Sequence, residues 1–143
     1  MSLQVFPLLT ISLIIYAALT LTGMAGAANL PWHEVVVVNL PMYSGDVWRV
    51  TWGTLFLSGS MCLLFVELIR ATKVGTPAIT NHLLSFMLFV IALLLFILMK
   101  GFATSTYFIY LTMTFLDPMA GLVVTTVAAR RDLNVTDTAA IRH

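Results

Sequence analysis

The feature that most constrains this chain is a carboxylate inside an apolar stretch long enough to cross a bilayer. Residues 107–129 are predominantly apolar, and about 20 such residues span the hydrocarbon core. Asp117 lies near the middle of the stretch and is followed by Pro118. Because a charged side chain at that depth costs about 2.5–3.5 kcal/mol on insertion scales, we expect Asp117 to face the protein interior rather than lipid.

The residues around Asp117 divide into two faces at helical spacing. The face that carries Asp117 is small or polar and contains Tyr110, Thr114, Gly121, Thr125 and Ala128. The opposite face is apolar and contains Ile109, Leu111, Phe115, Leu116, Leu122 and Val123. We therefore predict that the first face is buried and that the second contacts lipid.

The composition indicates one membrane domain. Of 143 residues, 60% are hydrophobic and 9% are charged, whereas a soluble domain has about 25% charged residues. Four apolar segments predict an all-α membrane protein, an antiparallel bundle of transmembrane helices. The domain covers residues 1–129, a short tail covers 130–143, and the helices cover 5–24, 50–69, 83–99 and 107–129.

Lysine and arginine predict the orientation, because connections rich in them stay in the cytoplasm. Arg49 and Lys100 fall on one side of the predicted membrane, and five basic residues fall on the other: Arg70, Lys73, Arg130, Arg131 and Arg142. Both termini are therefore predicted to be cytoplasmic. The connection 25–46 is then outside, and four consecutive valines, 35–38, favour a short strand or hairpin there.

Three tryptophans near this connection are candidate anchors at the membrane interface, Trp32, Trp48 and Trp52. A ligand site formed by Trp32 with His33 and Glu34 is an alternative. Ser44 is predicted to cap the second helix.

Small, hydroxyl or other polar residues also recur at helical spacing along the other helices, where small and hydroxyl residues allow close packing in lipid. They are Ser12, Tyr16, Thr20 and Gly23 in the first segment, Gly53, Ser60 and Glu67 in the second, and Ser85 and Ala92 in the third.

Two groups of ionisable residues are candidate sites. On the inner side, a charged cluster is predicted from Glu67, Arg70, His82 and Arg130. It is either a set of local ion pairs at helix ends or a site for an anionic lipid headgroup or a partner's carboxylate.

The intramembrane polar site consists of Asp117, Thr114 and Thr125. Asp117 can carry a proton, coordinate a cation with the two threonines, or pair with a base on a partner subunit. The alternative is a protonated structural carboxyl, hydrogen-bonded to Ser12, Tyr16 or Ser60.

Catalytic and metal-binding motifs are missing from the sequence. It contains no HExxH, CxxC, glycine-rich phosphate loop or nucleophile elbow. The single Cys62 permits no internal disulfide. We therefore predict no enzyme, no cofactor and no metal, and the net charge of +1 indicates no nucleic-acid partner.

Three stretches resemble a group of small, uncharacterised four-helix inner-membrane proteins of bacteria, specifically proteobacteria. They are VELIRATK (66–73), NHLLSFMLFV (81–90) and FLDPMAGLVVTTVAARRDL (115–133). The resemblance covers most of the chain from Ser44 onward. It implies a location in the bacterial inner membrane and no particular activity.

Two functional hypotheses follow. The first is an accessory or assembly subunit of a larger membrane complex, because the chain is small and lacks catalytic motifs. The alternative is a small oligomeric transporter or channel, coupled to protons or cations and centred on Asp117. The expected partners are the bilayer, other membrane subunits or further copies of the chain, and anionic lipid at the inner cluster.

Overall fold

The computed structural model describes residues 6–23, 26, 29–71 and 77–140, with the backbone alone at 71, 77–79, 125 and 128–140. It consists of four helices and one hairpin. In chain order these are α1 Leu9–Thr22, a short 3-10 helix Trp32–Glu34, β1 Val36–Pro41, β2 Val47–Thr51, α2 Trp52–Ala71, α3 Pro77–Leu98 and α4 Ser105–Ala140.

Three of the four helices are long and apolar enough to cross a membrane. The candidate spans are Trp52–Arg70, Thr80–Leu98 and Ser105–Val124. Helix α1 has 14 residues, which extend about 21 Å and so fall short of the hydrocarbon thickness of about 30 Å. It ends at Gly23, whose φ of 62° is left-handed and stops the helix.

Helix α4 is longer than the predicted segment 107–129. It continues to Ala140 with Pro118 inside it, so residues 130–140 of the predicted tail are helical. Its first turn is capped, because the Thr104 hydroxyl accepts a hydrogen bond of 3.1 Å from the N–H of Tyr107.

The predicted hairpin is confirmed, with β1 and β2 paired antiparallel. The prediction that Ser44 caps the second helix is wrong. Ser44 lies in the hairpin turn, where its hydroxyl donates a hydrogen bond of 3.3 Å to Asp46. Thr51 caps α2 instead, accepting a hydrogen bond of 3.2 Å from the N–H of Thr54, because the second strand delays the start of the helix.

Helix α4 packs against α2 and α3, and α1 packs against α2. The antiparallel arrangement of the bundle stays a prediction. Most of the described residues on the predicted interior faces are buried, among them Ser12, Tyr16, Gly53, Ser60, Ser85 and Ala92, whereas Thr20 is partly buried and Gly23 is exposed. The hydroxyls of Ser12 and Ser60 join α1 to α2 through a hydrogen bond of 2.9 Å.

The outward face predicted for the last helix is mostly confirmed. Ile109, Phe115, Leu116, Leu122 and Val123 are exposed on the chain, as residues that contact lipid should be. Leu111 is the exception, because it is buried within the core cluster of aromatic and aliphatic side chains.

Candidate functional site

A cluster of buried polar side chains lies where α2, α3 and α4 meet. It contains Glu67 from α2, Asn81, His82 and Ser85 from α3, and Asp117 from α4, and we call these five residues the polar cluster. Each is at most 8% exposed. The prediction that Asp117 faces the interior is confirmed, and its cover comes from this chain alone.

Glu67 ties three helices together. One of its carboxylate oxygens accepts a hydrogen bond of 2.7 Å from the N–H of Leu8, just before α1. The other accepts one of 2.9 Å from the side-chain amide of Asn81. Both oxygens are thus held by partners far apart in sequence, so Glu67 is fixed in position between the helices.

His82 packs directly against the backbone of α4. A Cβ added to Gly121 would overlap with atoms Cε1 and Nδ1 of the imidazole. The ring therefore occupies the space that the missing side chain leaves, one helical turn along α4 from Asp117.

Asp117 has polar neighbours that leave part of it unsatisfied. The Ser85 hydroxyl lies beside its carboxyl group but outside hydrogen-bonding geometry, and Glu67 lies within electrostatic range. Glu67 is also within electrostatic range of His82. Four buried atoms of the cluster have no hydrogen-bond partner among the described residues: Asn81 Oδ1, His82 Nε2, Ser85 Oγ and Asp117 Oδ2.

Of the two threonines predicted to act with Asp117, the structure describes the side chain of Thr114 alone. The Thr114 hydroxyl is buried, but it donates a hydrogen bond of 2.7 Å to the carbonyl of Leu111 in its own helix. The side chain of Thr125 lies outside the described residues. The site formed by Asp117 with these two threonines therefore stays a prediction, and in the polar cluster the hydroxyl beside Asp117 is that of Ser85.

The residues of the predicted inner charged cluster do not share one exposed surface in the described part of the chain. Glu67 and His82 are buried, so neither is open to a lipid headgroup. Arg70 is partly buried near the end of α2, and the side chain of Arg130 is outside the described part of the chain.

Buried hydroxyl groups extend from the polar cluster towards the start of α4. Tyr110 donates a hydrogen bond of 2.8 Å to the carbonyl of Leu9, next to the Leu8 N–H that Glu67 binds. The rings of Tyr110 and Tyr107 are 5.6 Å apart, and those of Tyr107 and Tyr16 are 4.7 Å apart. A hydrogen bond of 2.7 Å then joins the hydroxyls of Tyr16 and Thr104. We call Tyr16, Tyr107 and Tyr110 the tyrosine column.

The three tryptophans are not equivalent. Trp48 and Trp52 are exposed, as interface anchors should be, but Trp32 is only 4% exposed. The indole N–H of Trp32 donates a hydrogen bond of 3.0 Å to the hydroxyl of Thr20, and its ring packs edge-on against Tyr16. The anchoring prediction is wrong for Trp32, because the 3-10 helix folds it into the core.

Sequence reasoning missed Asn81 and Ser85 as members of the site. Helix α3 begins at Pro77, four residues before Asn81, and the Asn81 side chain is buried inside the bundle. In the described part of the chain, no group of three or more His, Cys, Asp or Glu side chains is arranged to hold a metal ion.

Comparisons with known proteins give no match. No protein-family model, no curated protein and no solved structure matches this chain. The similarity to bacterial inner-membrane proteins thus stays a prediction from the three sequence stretches.

Proposed function

We propose that this chain takes up and releases protons at Asp117 as a small membrane transporter or channel. The observation that supports this most strongly is the polar cluster itself. It places Asp117, Glu67 and His82 inside one chain, with four polar atoms that lack hydrogen-bond partners among the described residues. Buried polar groups without partners are energetically costly in a membrane. Where they occur, they are explained by a functional role or by a bound water molecule.

The chemistry of the cluster suits protons. An imidazole changes its protonation state near neutral pH more readily than any other side chain. The carboxyl groups of Glu67 and Asp117 lie within electrostatic range of each other, and a carboxyl group can both bind and release a proton. The Ser85 hydroxyl, beside Asp117, can donate and accept at the same time.

The tyrosine column supports a route between the polar cluster and the start of α4. Its hydroxyls and the carbonyl of Leu9 are hydrogen-bonding groups within an otherwise apolar core. Aromatic rings, which do not relay protons, separate some of these hydrogen-bonding groups. Water molecules would therefore have to bridge them to complete a proton path.

The test is proton flux into liposomes that contain the purified chain and a pH-sensitive dye, driven by a potassium gradient with valinomycin. Wild type is expected to acidify the lumen faster than protein-free liposomes. Asp117→Asn keeps the shape of the side chain and should reduce flux to the protein-free level. Asp46→Asn removes a carboxylate from the exposed hairpin turn and should leave flux unchanged.

Two results would overturn the proposal. One is a wild-type rate equal to that of protein-free liposomes. The other is unchanged flux in Asp117→Asn, with circular dichroism and gel filtration showing a folded protein. Replacing external sodium with choline distinguishes proton transport from sodium-coupled transport. Proton transport continues without sodium, whereas a sodium-coupled process stops.

A second candidate is an accessory or assembly subunit of a larger membrane complex. An apolar groove of about 470 Å³ between α1 and α2 favours it. Gly59 lies in the groove beside apolar side chains, and small residues there allow a partner helix to approach closely. Gentle extraction of the tagged chain from its own membrane should then recover a stoichiometric complex, which Gly59→Leu should dissociate.

We further propose that the membrane is a bacterial inner membrane and that both termini are cytoplasmic. The sequence resemblance and the asymmetry of basic residues support these two points. Fusions of green fluorescent protein and of alkaline phosphatase to the C-terminus provide the test. Fluorescence without phosphatase activity is expected, and the reverse pattern would contradict the orientation.

A further inference from the structure

An open groove of about 640 Å³ lies between the hairpin, the 3-10 helix and the start of α4. It is separate from the polar cluster and shares no residue with it. Its walls combine charged groups with hydroxyls, including His33, Glu34, Arg49, Thr51, Ser105 and Thr106. A groove of this size and polarity suits a small polar ligand.

One side of the groove attracts negative charge. Arg49 projects from β2 and is exposed, so its guanidinium is available to a ligand. Ser105 and Thr106 are the first residues of α4, and backbone N–H groups at this position have no partner within the helix. The next two N–H groups are already occupied, because Tyr107 and Phe108 donate to Thr104.

His33 adds a second and independent feature. Its side chain is only 10% exposed, and its Nδ1 atom has no hydrogen-bond partner among the described residues. Burial lowers the pKa of His33 more than the nearby Glu34 carboxylate raises it. A neutral imidazole offers both a donor and an acceptor, and His33 is one of the residues that line the groove.

Glu34 gives the groove its opposite charge. Its side chain is 58% exposed, and its carboxylate lies 3.9 Å from the Nε2 atom of His33. A ligand that is purely anionic would be repelled by this carboxylate. A ligand with both an anion and a cation can place its anionic end at Arg49 and the start of α4, and its cationic end at Glu34.

We propose that this groove binds a phosphate ester that carries an ammonium group, the chemistry of phosphoethanolamine. Two sources share that chemistry, namely the headgroup of a phospholipid and a soluble phosphoethanolamine. The proposal does not depend on proton transport, because the groove and the polar cluster have no residue in common.

The first experiment titrates soluble phosphoethanolamine into the full chain in maltoside detergent micelles, which contain no phosphate ester, and measures binding by isothermal titration calorimetry. Binding should weaken about tenfold in Arg49→Gln, because charge-assisted hydrogen bonds are lost. Lys100→Gln is the matched control, since it removes the same charge from an exposed position outside the groove. Equal weakening in both variants would show nonspecific attraction and overturn the proposal.

A second variant tests the cationic end of the ligand. Glu34→Gln should weaken the binding of phosphoethanolamine while leaving that of inorganic phosphate unchanged or stronger, because only the former carries an ammonium group. Equal effects on both probes would contradict the role of Glu34. Since Glu34 is exposed, the substitution leaves the core intact.

Native mass spectrometry distinguishes the two sources. Phosphatidylethanolamine retained by wild type and lost in Arg49→Gln, but not in Lys100→Gln, supports the lipid headgroup. Calorimetric binding of soluble phosphoethanolamine without retained lipid supports the soluble ligand. If no lipid is retained and no soluble phosphoethanolamine binds, the proposed site is overturned.

Discussion

The side-chain amide of Asn81 donates a hydrogen bond of 2.9 Å to the carboxylate of Glu67, joining the start of α3 to the end of α2. Both residues are at most 8% exposed. Because the second carboxylate oxygen binds the N–H of Leu8, this one side chain connects three helices. Its environment is therefore sensitive to the loss of either partner.

Replacing Asn81 with alanine should destabilise the fold. The substitution leaves one oxygen of a buried carboxylate without its donor, which costs about 1–3 kcal/mol. The free energy of unfolding can be measured by steric trapping in bicelles. The same substitution at Asn39, which is exposed on β1, is the control and should change it by less than about 0.5 kcal/mol. Similar losses in both variants would contradict the importance of the Asn81–Glu67 bond.

Gly121→Ala should displace the imidazole ring of His82 and lower the free energy of unfolding. An added methyl group would overlap with the imidazole ring, and overpacking of this kind costs about 1–3 kcal/mol. Gly59→Ala is a matched control, because a Cβ there meets nothing within 4 Å. Removing the ring should restore the space, so Gly121→Ala combined with His82→Ala should be more stable than the sum of the two single effects predicts. Additive effects would show that the two residues do not interact.

Much of this fold could be predicted from the sequence. Helical spacing and the free-energy cost of exposing polar groups to lipid both leave patterns that can be read from neighbouring residues. Asp117, Ser60 and Ser85 were placed on interior faces for that reason, and they are buried. The valine run likewise predicted the hairpin. Leu111 escaped the rule, because an apolar residue suits lipid and core equally well.

Contacts between distant parts of the chain could not be predicted in this way. Nothing near Gly121 in the sequence identifies His82 as the ring that covers it. Nothing near Glu67 identifies the N–H of Leu8, 59 residues away, as its donor. The burial of Trp32 depends on a 3-10 helix that folds onto Tyr16, whereas local pattern alone favoured an interfacial tryptophan.

Tyr110→Phe tests the tyrosine column. The hydroxyl of Tyr110 is fully buried and binds the carbonyl of Leu9, so its removal should destabilise the fold by about 1–3 kcal/mol, as loss of a buried partner does. Tyr43→Phe removes a hydroxyl from a fully exposed ring in the hairpin turn and should have no effect. If proton flux passes along the column, Tyr110→Phe should also slow flux in liposomes. An unchanged rate in a folded variant would exclude this hydroxyl from the path.

His33 should make stability depend on pH in a defined direction. Burial lowers its pKa below the ordinary value of 6.5, so below that pH the unfolded chain binds a proton that the folded chain resists. The free energy of unfolding should therefore fall as pH decreases through 6.5, and level off once pH is below the folded-state pKa. His33→Gln removes this contribution and leaves His82 and the buried carboxyl groups in place. The difference between wild type and His33→Gln should be constant above about pH 7.5 and change in favour of the variant below about pH 6. A difference that stays constant across the whole range would show that the pKa of His33 is the same in the folded and unfolded chains.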